Sequence, residues 1–383
     1  MSDSTVKEHM PALDGLRGVA ILMVIASHTT SGLFGALSLY RDTTGVPHSF
    51  DIPRWLDWVA SSGYHGVTLF FIVSAFTLAR QMNERGLLDL KGYALRRVFR
   101  IGPGLWLAGF AYMALLGFGP RLGAPSGLTA SDLAANFAFM GWLSAMPALA
   151  VVPGSWSVQT EVIFYLLLPA MIFVSRRRIW LLGIVTLLWI VAAQVSARRG
   201  MVEGWFTYEV YVEPLYQLPV FLIGVLAALA MPRLKTLPPS ARHVSIGLLA
   251  FAILLMPFNP LRSWWLLLGT QFSIIGAVVT MLASVHPPRL LTGKLITSVG
   301  TVSYSMYLVH FALLWPSYTL ASFVMPGNGR ATLAVYFCSV AGVAFLISRV
   351  TYRWIEQPPR RWIAARLRRS SVMVDRRAGS GAR

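Results

Sequence analysis

The chain has 383 residues, of which 56% are hydrophobic and 13% charged, and its mean hydropathy is +0.61. These values exclude an ordinary soluble globular protein, which needs more polar and charged residues to cover its surface. The formal charge of +18 would suggest a nucleic-acid partner in a soluble protein, but cytoplasmic loops of membrane proteins also collect lysine and arginine. We therefore predict an all-α, polytopic transmembrane helical bundle.

Apolar runs recur along the chain, each closed by arginine, glycine or proline. A helix needs about 20 apolar residues to cross about 30 Å of hydrocarbon. On this criterion ten spans are predicted, at residues 14–36, 64–82, 102–119, 156–175, 179–196, 213–232, 243–259, 262–285, 296–320 and 331–352. The stretch 134–152 is an eleventh candidate.

The distribution of basic residues predicts the topology. With ten spans and the N-terminus inside, 26 of the 33 lysines and arginines face the cytoplasm. If 134–152 also crossed, Arg176–Arg178 would face outward, so we expect this stretch to be re-entrant or interfacial. Both termini are then cytoplasmic, and the protein is expected in the inner (plasma) membrane as a multi-pass protein.

The ends of the chain and its cysteine content set further limits. Arg17 and His28 make the first span too polar for a cleaved signal peptide, and its apolar core is also too long. The single cysteine, Cys338, excludes a disulfide framework and a cysteine metal cluster. We expect a membrane domain over residues 1–358 and a basic, disordered cytoplasmic tail over 359–383.

The first span carries Asp14, Arg17 and His28 on one helical face. At 100° per residue, His28 falls within about 20° of Arg17, and it lies about 16 Å farther along the helix axis. Charged and polar groups inside a span are costly and usually serve function. The alternative is a histidine that only packs, bonded to a backbone carbonyl.

The second span begins near His65 and contains Ser74. Both residues bring polar groups into the bundle and are candidates for binding a substrate. Ser74 can equally be a hydroxyl that packs two helices together.

A basic segment with Arg96, Arg97 and Arg100 precedes the third span. Arg96 and Arg100 are four residues apart and share a helical face, while Arg97 lies three residues before Arg100. Arginine pairs bidentately with phosphate, so a phosphorylated cofactor from the cytosol is one expected ligand. Lipid head groups are the other.

The fourth span contains Glu161 and Tyr165. Glu161 lies about 8 Å below the predicted outer end of this span, and His28 about 12 Å below the outer end of its own. At similar depths, the carboxylate can orient the imidazole and raise its basicity. Glu161 can instead pair with an arginine or cap a helix start.

The ninth span contains Tyr304 and His310. His310 is a candidate for substrate binding or proton relay, with a structural role as the alternative. Histidine and glutamate do not occur at the spacing of a zinc-binding helix, so no metal is expected.

Taken in this order, the polar residues resemble the bacterial integral-membrane acyltransferase family 3, the O-acetylases of surface polysaccharides and macrolides. The resemblance covers Leu13 to Pro358. The motifs that carry it are Asp14-Gly15-Leu16-Arg17-Gly18 with His28, Phe70-Phe71 with Ser74-Ala75-Phe76, Arg96-Arg97 with Arg100-Ile101 and Pro103, Trp156-Ser157 with Glu161 and Phe164-Tyr165, Ser303-Tyr304-Ser305 with Tyr307-Leu308 and His310, and Glu356-Gln357-Pro358.

The resemblance implies transfer of an acyl group, usually acetyl from cytosolic acetyl-CoA, to a hydroxyl of a carbohydrate or glycoconjugate. No bound cofactor is implied, since acyl-CoA is a substrate. By position, catalysis falls to His28 and Glu161, and the donor side to Arg17, Arg96, Arg97 and Arg100. Beside these assignments, we predict that Asp14, His65, Ser74, Tyr165, Tyr304 and His310 bind substrate.

Two departures from the family pattern concern the acceptor. The glycine that usually follows the serine of the second span is Ala75 here, and Gln159, Val162 and Ile163 replace common polar residues around Glu161.

Two mechanisms and two other functions stay open at this point. His28 can act as a general base on the acceptor hydroxyl, or it can form a covalent acyl-histidine. A proton-coupled transporter or flippase could use the same buried groups as a relay, although the matching inverted halves typical of transporters are not found. A receptor-like bundle would have no use for an arginine cluster aligned with a buried histidine.

Overall fold

The computed structural model describes residues 10–30, 50, 52–85, 89–121, 124, 126–143, 151–203, 212–234, 236–255 and 265–367. Within these ranges the chain is almost entirely helical, and its β-type pairing is the isolated bridge between Arg121 and Ala124. The α-helices, numbered in chain order, are α1 (Pro11–Thr29), α2 (Arg54–Ser61), α3 (His65–Arg85), α4 (Leu90–Leu116), α5 (Ala130–Phe137), α6 (Ser155–Glu203), α7 (Pro214–Ala230), α8 (Ala241–Leu255), α9 (Trp265–Val285), α10 (Arg289–Thr292), α11 (Lys294–Thr301), α12 (Ser303–Val324) and α13 (Gly329–Thr351).

In the described part of the chain, seven helical stretches are long and apolar enough to cross a membrane. One of them, Ser155–Ser196, lies within α6, which has 49 residues and is broken at Arg178, where φ is −149° and ψ is 72°. The predicted spans 156–175 and 179–196 lie on either side of this break, and α8 and α9 supply two shorter apolar segments. The all-helical membrane protein is confirmed, while the count of ten spans and the orientation remain predictions.

α1 lies at the centre of the bundle. In the most apolar stretch of α1, 61% of the residues are buried, compared with 17% in that of α6. A Cβ on Gly15 would lie 1.9 Å from the carbonyl oxygen of Leu291, and one on Gly300 would lie 1.7 Å from that of Asp14. Because these positions admit only glycine, α10 and α11 can pack directly on the N-terminal half of α1. This packing holds Asp14 and Arg17 inside the protein.

α3 runs antiparallel to α1. Gly66, at the start of α3, packs against the Ala20 carbonyl, whereas Thr77, in the second half of α3, is 3.5 Å from the Arg17 guanidinium. α12 runs in the same direction as α1, since Tyr304 meets α4 near Arg17 and His310 meets the far end of α1 at His28. The bundle therefore has one end marked by Arg17 and another marked by His28.

The described part of 134–152 is not a continuous helix. α5 ends at Phe137, a single turn spans Gly141–Leu143, and residues 144–150 lie outside the described ranges. The Trp106 indole of α4 donates to the Phe137 carbonyl at 3.0 Å. This arrangement fits a re-entrant or interfacial segment better than a span.

α13 is followed by a π-helical turn at Tyr352–Glu356, and the chain stays helical through residue 367. Residues 359–367, the first part of the predicted tail, are therefore helical. The remainder of the tail lies outside the described residues.

Candidate active site

A cleft opens among α1, α3, α4, α6 and α12, between the two ends of the bundle. Its walls combine aromatic and aliphatic side chains with hydroxyl, carboxylate and guanidinium groups. The lining residues are Arg17, Val67, Phe70, Phe71, Ser74, Arg100, Ile101, Ser157, Val158, Glu161, Ser303, Tyr304 and Tyr307. Five residues predicted from sequence, namely Arg17, Ser74, Arg100, Glu161 and Tyr304, thus share one cleft.

Glu161 is the carboxylate of the cleft. It accepts hydrogen bonds from the Ser74 hydroxyl and, at 2.7 Å, from the Tyr165 hydroxyl. The Tyr165 carbonyl in turn accepts a hydrogen bond from Tyr93 at 3.1 Å. Ser74 and Tyr165 therefore fix the carboxylate of Glu161, and Ser74 does more than pack two helices.

Arginines surround this carboxylate at the end of the cleft nearest the start of α1. Arg17 forms a salt bridge of 2.9 Å with Asp14, and Arg100 interacts electrostatically with Asp14, Glu161 and Glu356. Arg97, beside these two cleft-lining arginines, is half-buried, with its guanidinium 5.9 Å from the ring of Tyr93 and 5.7 Å from that of Tyr165. Its Nε and Nη1 atoms are buried without a hydrogen-bond partner. An unpaired buried guanidinium is costly, so the site is suited to an anion that enters from outside the protein.

Arg96 does not join this group. Its guanidinium forms a more exposed salt bridge of 3.1 Å with Asp89, outside the cleft. The predicted cluster of three is therefore split. Around α4, Arg100 lies between Arg96 and Arg97, and Arg97 is directed toward Tyr93 and Tyr165 while Arg96 is directed toward Asp89.

Glu356 and Arg360 form a second buried ion pair beside Arg100. Arg360 donates to Glu356 at 3.0 Å and to the Arg100 carbonyl at 3.4 Å, and Glu356 also accepts a hydrogen bond from Ser305. No role was predicted for Arg360, and Glu356 was noted only within the motif Glu356-Gln357-Pro358. The spacing of four residues between acid and base was the signal that could have identified the pair.

His28 and His310 meet at the other end of the bundle. His310 Nε2 lies 3.2 Å from His28 Nδ1, and His310 Nδ1 lies 2.7 Å from the Tyr307 carbonyl oxygen. The two rings pack against Phe311, with centroids 4.6 and 4.2 Å from it. Tyr307 lines the cleft and its ring centroid is 5.6 Å from that of His310, so it connects the cleft to the histidine pair.

Glu161 is not at the depth predicted for it. Gly154, just before α6, packs against Phe311 and accepts a hydrogen bond from Tyr307 at 3.0 Å, so α6 begins near the level of the histidines. Glu161 lies seven residues after Gly154, which places it about 10 Å from Gly154 along the axis of α6, toward the arginine end of the cleft. The ring partner of His28 is accordingly His310, where the sequence predicted Glu161.

His65 lies apart from the cleft. It is buried at the start of α3, its ring is stacked on Phe272 with centroids 5.0 Å apart, and its Nδ1 has no hydrogen-bond partner. Tyr304 lines the cleft with its ring and donates its hydroxyl to the Ile101 carbonyl at 2.7 Å.

Comparison with known proteins identifies the family. The profile of acyltransferase family 3, described as an acyltransferase domain, matches residues 10–353, and the chain belongs to this family. The resemblance seen in the sequence is confirmed.

Among the curated relatives are proteins of Staphylococcus aureus. A protein of strain MSSA476 named as a candidate O-acetyltransferase, SAS0844, is 25% identical over 92% of this chain and 58% of its own length. The O-acetyltransferase OatA of strain NCTC 8325 is 26% identical over 92% of this chain and 57% of its own length. The chain thus spans less than two thirds of the length of these relatives. No solved structure matches it.

Proposed function

We propose that the protein is a membrane-bound O-acetyltransferase, which moves an acetyl group from cytosolic acetyl-CoA to a hydroxyl of a carbohydrate or glycoconjugate at the inner (plasma) membrane. The observation that carries this proposal is the cleft, which has Arg17 and Arg100 at one end and, at the other, Tyr307, whose ring neighbours His310. The family and the names of the relatives support O-acetyl transfer.

The donor fits the arginine end. CoA carries several phosphate charges, and Arg97, Arg100 and Arg17 offer guanidinium groups beside an aromatic wall. Arg17 and His28 are eleven residues apart on α1, which separates them by about 16 Å along the helix. An extended pantetheine arm anchored by its phosphates at the arginines would present the thioester toward His28.

The acceptor is activated at the histidine end. As a general base, His28 takes the proton of the acceptor hydroxyl while the oxygen attacks the thioester carbonyl. The tetrahedral intermediate then collapses, the C–S bond breaks, and CoA leaves as the thiol after it receives the proton held by His28. In the acyl-histidine route, a C–N bond to His28 forms as the C–S bond breaks and CoA leaves. In a second step the acceptor hydroxyl takes the acetyl group as the C–N bond breaks, and its proton passes to the imidazole.

The acceptor class is tested in the host that produces the protein. Mass spectrometry of surface glycans and secreted glycosides, with and without the gene, should reveal one species that differs by an acetyl group. Complementation with the wild-type gene should restore that species. Unchanged acetylation, together with altered movement of a lipid or sugar conjugate, would contradict the proposal and favour a transporter.

A further inference from the structure

The contact between His28 and His310 fixes where the protons of both rings lie. His310 Nδ1 is 2.7 Å from the Tyr307 carbonyl oxygen, which can only accept a hydrogen bond. His310 Nδ1 must therefore carry the proton. In a neutral imidazole the other nitrogen, Nε2, is then an acceptor.

The neutral form of His310 is the one that its surroundings favour. The ring is fully buried, and its ring neighbours among the described residues are Tyr307, Phe311 and His28, which carry no fixed charge. A buried imidazolium without an anionic partner is expensive. With His310 neutral, the bond of 3.2 Å between the rings requires His28 Nδ1–H to donate to His310 Nε2.

The consequence for His28 is a defined tautomer. The Val24 carbonyl, one turn earlier in α1, also interacts with this ring and can accept a hydrogen bond only from a nitrogen that carries a proton. With the proton on Nδ1, the lone pair of Nε2 is the one able to take a proton or attack a carbonyl carbon. We propose that His310 is a positioning residue, which holds His28 in the Nδ1–H tautomer so that His28 Nε2 is the reactive atom. This inference rests on the proposed acetyl transfer and replaces the substrate-binding role predicted for His310.

Two substitutions separate this role from the alternatives. His310→Gln keeps a side-chain oxygen near the former Nε2 and can still accept from His28, whereas His310→Phe fills a similar space without an acceptor. Both variants lose the bond to the Tyr307 carbonyl, so they differ mainly in the hydrogen bond to His28. Size-exclusion profiles in detergent identify variants that fold.

Kinetics of purified variants give the first readout. A general base contributes about 10²–10⁴-fold to a rate, so His310→Phe should lower kcat by about 10²-fold or more, with KM for acetyl-CoA and for the acceptor changed little. His310→Gln should recover most of the lost kcat. Equal loss in both variants would show that His310 carries a proton itself, and a raised KM with normal kcat would show substrate binding. Either result would overturn the inference.

A second readout does not depend on activity. In protein labelled with ¹⁵N-histidine, the signal assigned through a His28→Asn variant should report the Nδ1–H tautomer in the wild type and in His310→Gln, and lose it in His310→Phe. An Nε2–H tautomer of His28 in the wild type would refute the inference, even if acetyl transfer is established. A missing acetyl transfer with the Nδ1–H tautomer present would instead count against the proposed function.

Discussion

Arg96 and Arg97 are adjacent in sequence, yet their environments are opposite. Two guanidinium nitrogens of Arg97 are buried and unpaired, whereas Arg96 pairs with Asp89 in a more exposed salt bridge. Helical periodicity shows that Arg96 and Arg100 lie on one face of the helix. It does not show which face of the helix is turned toward the cleft. That choice depends on how α4 packs against α6 and α12, which a single sequence does not reveal.

This difference predicts unequal effects on the donor. Arg97→Ala should raise KM for acetyl-CoA by about 10-fold or more, because a charge-assisted hydrogen bond contributes about 1.5–3 kcal/mol. Arg96→Ala is the matched control and should change KM little, because an exposed ion pair contributes about 0–1 kcal/mol. Steady-state kinetics at two salt concentrations checks both. Equal effects of the two substitutions would place the donor phosphates elsewhere.

Glu161 was expected beside His28 because both were counted from predicted span ends. Glu161 does not lie there, since the start of α6 packs against Tyr307 and Phe311, near the level of the histidine pair, and Glu161 follows about two turns later. Glu161 instead forms one unit with Ser74 and Tyr165.

Double mutants should reveal this unit. The Glu161→Gln/Ser74→Ala double mutant should lose less kcat/KM than the product of the two single losses. The reason is that the two side chains share a hydrogen bond. The effects of Glu161→Gln and His310→Phe should multiply, because these residues are about 10 Å apart in depth. The opposite pattern, with coupling to His310 and independence from Ser74, would restore the predicted pairing of Glu161 with the histidines.

At the scale of helices, apolar run length predicted most of the elements. The predicted span 64–82 corresponds to α3 (His65–Arg85), 213–232 to α7 (Pro214–Ala230) and 331–352 to α13 (Gly329–Thr351). Span 102–119 was placed too late, because α4 begins at Leu90 and its first turns carry the arginines that hydropathy excluded. The π-turn that turns Glu356 toward Ser305 leaves no hydropathy signal.

The close packing of α1 gives a stability prediction. Gly15→Ala should lower the thermal midpoint in detergent, since the new methyl group would collide with the Leu291 backbone. Gly183→Ala in α6 is the control, because a Cβ there meets open space, and it should leave the midpoint unchanged or raise it. Thermal unfolding followed by fluorescence-detected size exclusion measures both. A Gly15→Ala protein as stable as the wild type would show that α10 does not pack on α1 so closely.

At the scale of the whole molecule, the distribution of charge predicts which end of the bundle faces the cytoplasm. The arginine end of the cleft must face the cytosol if the donor is acetyl-CoA. Cysteine labelling in intact cells tests this orientation after Cys338, the native cysteine, is replaced by serine. A cysteine in the 196–211 segment should react with an impermeant reagent, and one at Arg177 should not. Labelling at Arg177 would reverse the topology.

The most direct test of the account is acetyl transfer by purified protein. Wild-type protein in detergent, supplied with radiolabelled acetyl-CoA and a hydroxylated glycan, should transfer label to the glycan and release CoA. His28→Ala should fold, retain binding of acetyl-CoA through the arginines, and transfer no label. Transfer by His28→Ala at a rate near that of the wild type would contradict the account, because the cleft would then lead to a histidine that plays no part in the reaction.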